Sequence, residues 1–194
     1  MTASLIEELK KVRDFRTKQG QRHPLWLVLL LVIMGTMSGC CGYRSLGDFV
    51  ARHKQSLIDI LDIPKDRVPS YSTMRRVMMR VNFEELTKRF NCWASQYIEL
   101  TEREWLATDG KSIRGTVVDY SNAYQAFVSV VSIFSSKQGV IVGLQTMNNK
   151  QTSEIATVQS LIAALDIKGA IFSFDALHCQ KKLSSKLLEV EMIT

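Results

Sequence analysis

The sequence has 194 residues, a formal net charge of +6 and 46% hydrophobic residues, a balance that is ordinary for a soluble globular protein. A chain of this length and composition can therefore bury a hydrophobic core. Its four cysteines form no CxxC pair, and with only three histidines there is no Cys/His cluster spaced for structural zinc. The composition excludes such a site and favours a reduced, cytoplasmic setting.

The basic excess is unevenly distributed. Residues 1–104 carry 17 basic and 12 acidic side chains, whereas residues 105–194 carry 8 and 7. A basic front half indicates a polyanionic partner such as nucleic acid. The alternative is a solvated basic surface without a specific partner.

The stretch "HPLWLVLLLVIMGTMSGCCGY", residues 23–43, contains no Lys, Arg, Asp or Glu. Its strongly apolar part, residues 25–34, is shorter than the roughly 20 apolar residues that span a bilayer. We therefore predict a buried helix over 25–38 at the centre of a helical core. A small membrane protein anchored by residues 25–43 is the disfavoured alternative.

Other helices flank this apolar segment. Residues 4–13 have the pattern of a short amphipathic helix, and "DFRTKQGQRHP" (14–24) forms a polar, basic connector. From Arg44 to Leu61 the apolar residues follow a helical period. The two prolines between Asp62 and Pro69 end that pattern.

The segment "VPSYSTMRRVMMRVNFEEL" contains two helix starts. Ser70 or Ser72 can cap a helix over 73–81, and Asn82 with Glu85 reads as a capping box for a helix that runs to about residue 98. The first helix carries Arg75, Arg76 and Arg80. A helix, a Pro-rich turn and a short basic helix suggest a helix-turn-helix-like DNA reader, with a solvated basic face as the alternative.

After Glu104 the pattern changes to Val/Ile/Phe-rich runs at 126–134, 139–147 and 169–174. The first two flank "SSKQG", which is typical of a hairpin, and an amphipathic helix is predicted over 152–165. The fold class is therefore α+β. An all-helical N-terminal domain (1–104) precedes an α/β domain (105–194).

Two aspartates follow apolar strand-like runs. In "LATDGKSIRG" the predicted strand stops at Asp109–Gly110, and in "AIFSFDALHCQKK" another stops at Asp175. Ligands gather at this edge of open α/β sheets, and two carboxylates there could hold divalent metal for phosphodiester chemistry. The alternatives are a plain Asp-Gly turn and a helix N-cap. Four nearby cations would attract phosphate: Lys111, Arg114, Lys181 and Lys182.

In the order "QGQRHPLWLVLLLVIMGTMSG", "YRSLGDFV", "DGKSIRG", "VVSIF" and "IKGAIFSFDALHCQKK", residues 15–182 resemble the H-repeat-associated family of bacterial insertion-sequence transposases. The combination of DGKxxRG and DAxxCQKK is fairly specific. The resemblance implies a DDE transposase with an RNase H-like catalytic domain behind a helical associated domain. It implies Asp109 and Asp175 as the first two catalytic acids, Mg²⁺ or Mn²⁺ as cofactor, and double-stranded DNA at the element's ends as substrate. We expect a bacterial cytoplasmic location without a membrane, and a homo-oligomer stays open.

The third acid of a DDE site is not assigned. The resemblance places it on a helix well beyond DAxxCQKK, whereas Glu189 would lie about 20 Å along a helix from Asp175 and Glu191 further still. Glu154 fits a solvated first-turn acid. We therefore expect a truncated RNase H-like domain that does not catalyse strand transfer by itself. The alternative is a non-catalytic DNA-binding remnant that occupies transposon ends or interferes with the full-length transposase.

Overall fold

The computed structural model of this chain describes residues 4–97, 103–113, 127–148, 153–165 and 170–174. The chain divides into two compact units, Met1–Trp93 and Ala94–Thr194. The first unit is helical in its described residues, and the second contains a four-stranded sheet. The fold class is thus α+β, as the sequence predicts.

The helical unit contains α1 (Leu5–Lys10), α2 (Leu25–Met37), α3 (Tyr43–Arg52), α4 (Lys54–Leu61), α5 (Tyr71–Met78) and α6 (Phe83–Ala94). Short 3₁₀ turns lie at 18–20 and 64–66 in this unit, and a third at 95–97 follows α6. The predicted start of α6 is confirmed, because the Asn82 side-chain oxygen accepts a 3.1 Å hydrogen bond from the backbone N–H of Glu85.

Helix α2 is the centre of the helical core. Leu27, Leu29 and Leu31 are at most 1% exposed. Val50 of α3 and Met74 of α5 are in the same apolar cluster. The prediction of a buried helix over 25–38 is therefore confirmed. Among the helices in the described ranges, none combines the length and the apolar character needed to cross a bilayer.

The helical period predicted from Arg44 to Leu61 belongs to two helices rather than one. Helix α3 ends at Arg52 and α4 begins at Lys54, with His53 between them. Val50 and Leu57 are both buried on either side of the break. Because they are seven residues apart, about two helical turns, the apolar period continues across the break and does not reveal it.

The sheet unit contains β1 (Trp105–Ser112), β2 (Val128–Ser135), β3 (Val140–Asn148), α7 (Glu154–Leu165) and β4 (Ile171–Phe174). The strand order is β3-β2-β1-β4, with β1 antiparallel to β2 and parallel to β4. The β2–β3 hairpin turns through Gly139, whose φ of 68° favours glycine. The predicted strands, hairpin and helix are confirmed in position.

One face of the sheet is closed by α7. Leu106, Val131 and Ile133 of the strands are fully buried in one cluster with Val158 and Ile162 of α7. This arrangement fixes which strand residues face the core and which face away from it, since side chains alternate along a strand.

Candidate functional site

Asp109 lies inside a strand and not at its end. Strand β1 continues through Ser112, and Asp109 pairs with Ser132 of β2. The prediction that the strand stops at Asp109–Gly110 is therefore wrong, and so is the Asp-Gly turn as its alternative. The physical reason is that β2 provides antiparallel partners for every residue from Leu106 to Ser112. This pairing extends β1 through the four residues from Asp109 to Ser112.

The side chain of Asp109 is on the exposed face of β1. Leu106 and Thr108 are buried, whereas Asp109 and Lys111 are exposed. Because alternate residues share a face, Asp109 and Lys111 project from the side opposite the α7 core. An exposed carboxylate and an exposed ammonium two residues apart are thus presented on one surface of the sheet.

Strand β4 runs parallel to β1 and is its neighbour. The last pair in the register joins Thr108 with Phe174. The next residue of β1 is Asp109. Four residues of the predicted site lie outside the described residues: Arg114, Asp175, Lys181 and Lys182.

Glu154, the first residue of α7, contacts Gly110. A Cβ atom added to Gly110 would overlap the Glu154 carboxylate, so this position accommodates the acid only because it is glycine. Since Gly110 faces α7, Glu154 and Asp109 lie on opposite faces of β1. Within the parts of the chain that the structure describes, no three His, Cys, Asp or Glu side chains are grouped for a metal ion.

A second charged site occurs in the helical unit, where the connector (residues 14–24) folds around Arg16. The Arg16 guanidinium donates to both carboxylate oxygens of Asp14, at 2.9 and 2.7 Å, and to the carbonyl of His23 at 2.9 Å. The Asp14 carboxylate also accepts from the Arg16 backbone N–H at 3.0 Å. These bonds hold a polar, Gly-containing segment in one conformation.

The predicted basic helix is α5, and it begins and ends earlier than predicted. It follows Ser70, whose side chain makes no capping bond to the backbone, and ends at Met78. Arg75 and Arg76 are therefore on α5, but Arg80 lies beyond it, and the prediction of a helix over 73–81 is wrong for Arg80. The Arg80 guanidinium instead stacks over the Phe15 ring, 5.4 Å from its centroid.

A cavity of about 760 Å³ opens between the connector, the loop before α5, and α5 itself. We call it the basic pocket. Its lining includes six cationic side chains and, among its described lining residues, no acidic one. The cations are Arg16, Arg22, Lys54, Arg67, Arg76 and Arg80.

The basic pocket includes two of the predicted DNA-binding arginines, Arg76 and Arg80, but not Arg75. Sequence reasoning missed Arg16, Arg22 and Arg67 as partners of α5. The basic character of the connector was visible in the sequence, but its approach to α5, some 50 residues later, had no local pattern.

Two ionisable groups at this pocket have shifted pKa values. Burial lowers the pKa of His23 below its usual 6.5, and Arg22, Arg16 and Arg67 lower it further, although a hydrogen bond with the Arg67 backbone acts in the opposite direction. The hydrogen bond from Arg16 lowers the pKa of the Asp14 carboxyl. Burial is thus the main cause at His23, and the hydrogen bond with Arg16 is the main cause at Asp14.

Comparison with known proteins places the chain in a family. Residues 6–94 match the family described as DDE_Tnp_1-associated. The chain is 30% identical over 183 residues to the "H repeat-associated putative transposase YbfD" of Escherichia coli strain K12, a match that covers 94% of this chain and 71% of that protein.

Two further relatives are longer. The "H repeat-associated putative transposase YhhI" of Escherichia coli strain K12 is 29% identical and the "Putative transposase YncI" of Escherichia coli O157:H7 is 28% identical. These matches cover 94% and 95% of this chain but only 47% and 46% of those proteins. The chain spans about half the length of these two curated relatives.

The fold and the domain match together define the class of the chain. It is an α+β protein with a helical domain of the transposase-associated type. More specifically, the chain belongs to the H-repeat-associated transposase family.

Proposed function

We propose that this chain acts in DNA transposition as a DDE-type transposase polypeptide, with Asp109 and Asp175 as the acids that hold Mg²⁺ or Mn²⁺. Family membership supports the reaction class. The observation that carries the proposal is the parallel pairing of β1 with β4, whose last pair is Thr108 with Phe174. Asp109 and Asp175 are the next residues in the sequence after that pair.

Neighbouring strands in a sheet lie about 4.8 Å apart, and paired residues of parallel strands point to the same face. If the pairing continued by one residue, we expect both carboxylates on the exposed face that carries Asp109. That separation would suit two carboxylates that share divalent cations. We propose that the sheet which carries them is RNase H-like.

The Asp109 carboxylate fits such a metal. It is exposed, and no ion pair within the described residues occupies it. Carboxylate oxygens are the ligands that Mg²⁺ prefers. When bound, the metal would activate the attacking oxygen and stabilise the leaving oxygen in phosphodiester cleavage. Lys111, on the same face, would attract the phosphate, and we assign the same role to Arg114, Lys181 and Lys182.

Metal binding tests this proposal directly. Mn²⁺ titrated into the chain and followed by electron paramagnetic resonance should bind, and Asp109→Asn and Asp175→Asn should each weaken that binding by at least about 100-fold, because second-shell changes alone cost 10–100-fold. Glu154→Gln is the control, since Glu154 faces the other side of β1. Equal Mn²⁺ binding in the Asp109→Asn variant would contradict the proposal.

The third acid stays unassigned, and we propose that this polypeptide does not complete strand transfer by itself. Incubation with duplex DNA of the element's ends and Mn²⁺ should give no 3′-end nicking. Nicking that Asp109→Ala abolishes would contradict this second part and would establish a complete catalytic site.

A non-catalytic DNA-binding role is the second candidate, and the basic pocket is the observation that favours it. In that case the chain would occupy transposon ends or interfere with the full-length transposase. DNA affinity would fall steeply with salt concentration and would not change in Asp109→Ala, because the binding energy would come from phosphate contacts alone.

A further inference from the structure

We propose that the basic pocket is a binding site for the DNA backbone, in which arginines from the connector, from the loop before α5, and from α5 hold phosphate together. The inference rests on the proposed function only for the identity of the polyanion. The pocket itself follows from charge, burial and hydrogen bonding in the helical unit.

The cavity has an unbalanced positive charge. Six cationic side chains line it, and within the described residues only Arg16 has a carboxylate within 4.0 Å. Like charges brought together repel each other unless an anion or solvent offsets them. A cavity lined in this way is therefore suited to a ligand that carries several negative charges.

Arg16 is held in place by hydrogen bonds but is not fully satisfied. Its side chain is only 9% exposed, and three hydrogen bonds to Asp14 and His23 fix the Nε and Nη2 atoms. The remaining nitrogen, Nη1, is buried and has no hydrogen-bond partner among the described residues. Arg16 is one of the residues that line the cavity. A fixed guanidinium with an unsatisfied nitrogen lacks an acceptor, and phosphate oxygens match guanidinium geometry.

The cavity is larger than a single phosphate ion requires. Its volume of about 760 Å³ is in the range of pockets that enclose drug-sized molecules, about 300–1,000 Å³, and far exceeds one phosphate ion. There is room for a phosphate with its neighbouring sugars.

The pocket differs from a uniformly basic helix surface. Arg75 and Arg76 are adjacent on α5 and both are exposed, yet only Arg76 lines the cavity. Charge alone does not distinguish Arg75 from Arg76, whereas their positions relative to the cavity do. Arg67, on a different segment, provides an independent position on the wall.

Fluorescence anisotropy with a labelled duplex from the element's ends, using the full chain, tests the proposal. Arg76→Gln and Arg67→Gln should each weaken binding about tenfold, as expected for a lost charged hydrogen bond, and should lower the salt slope by about one. Arg75→Gln is the matched control and should retain wild-type affinity. All three side chains are exposed, so circular dichroism and the melting temperature should not change.

Equal losses in Arg75→Gln and Arg76→Gln would overturn the proposal, because they would indicate diffuse surface charge. Wild-type affinity in both pocket variants, or tighter binding of an RNA duplex of the same sequence, would also overturn it. Should Arg76→Gln disturb α5, Arg67→Gln decides the result. Asp109→Asn in the same assay should bind DNA normally, so failure of the pocket and failure of the proposed metal site are measured separately.

Discussion

The two units assemble their charged sites in different ways. In the sheet unit Asp109 and Lys111 share a face because they are two residues apart on one strand. The register of the β1–β4 pair determines which residues of β4 lie beside them. In the helical unit the basic pocket takes cations from segments as distant as Arg16 and Arg80. A strand site therefore follows from local periodicity, whereas a pocket between loops and helices depends on how the core packs.

The largest expected effect concerns the core of the helical unit. Leu31→Ala should lower the free energy of unfolding of the helical unit by about 2–5 kcal/mol, because Leu31 is fully buried in α2. Chemical denaturation with amide exchange in α2 and α3 measures it. Met37→Ala, at an 83% exposed position of the same helix, should change stability by less than about 0.5 kcal/mol. A similar cost at both positions would show that α2 is not the core helix.

The second effect concerns the hydrogen bond that stabilises the buried carboxylate of Glu104 in the sheet unit. The Ser135 hydroxyl donates to the carboxylate of Glu104, which is 3% exposed, and accepts from the Gln138 N–H at 3.0 Å. Ser135→Ala should cost about 1–3 kcal/mol because buried polar groups lose a partner. Ser132→Ala, on the same strand but half-buried, should cost much less. Equal denaturation midpoints for the two variants would contradict the importance of this bond.

The third effect is a pH dependence of stability in the helical unit. Because the pKa of His23 in the folded chain lies below the unfolded value of about 6.5, the unfolded chain takes up the proton first as the pH falls. Stability should therefore be complete above pH 6.5 and decline as the pH falls towards the lowered folded pKa. Denaturation at several pH values should show this decline, and His23→Gln should reduce it.

Asp14 provides a second pH window for the same measurement. Its pKa is lowered from 3.8 by Arg16, so its contribution is present above pH 3.8 and is lost as the pH falls through the folded value. Asp14→Asn should affect only that lower window. A loss of the decline near pH 6 in Asp14→Asn would contradict the assignment to His23.

The smallest effect concerns the contact of Gly110 with Glu154. Gly110→Ala should displace the flexible Glu154 side chain and change the free energy of unfolding by less than about 1 kcal/mol, the span of strand propensities. In a double-mutant cycle with Glu154→Ala, the alanine at 110 should be better tolerated when Glu154 is absent, with a coupling of at least about 0.5 kcal/mol. Strict additivity would mean that the two residues do not meet.

Much of the fold could be predicted because the relevant patterns are local. The apolar run of α2, the Asn82 cap of α6 and the strand runs around the β2–β3 hairpin all occur within a few residues. The features predicted wrongly include the end of β1 and the single helical period from Arg44 to Leu61. Strand β1 extends past Asp109 because β2 pairs with it, and α3 and α4 separate at His53 although the apolar period continues.

By itself the sequence determined the α+β class, the helical and strand halves, the family and the two candidate acids, since these depend on composition, periodicity and contiguous motifs. Only the tertiary structure decided that Arg16, Arg67 and Arg76 line one cavity, that Arg75 does not, and that Glu154 lies across β1 from Asp109. The reason is physical: which side chains meet across a cavity depends on the packing of the core beneath them, and no short stretch of residues records that packing.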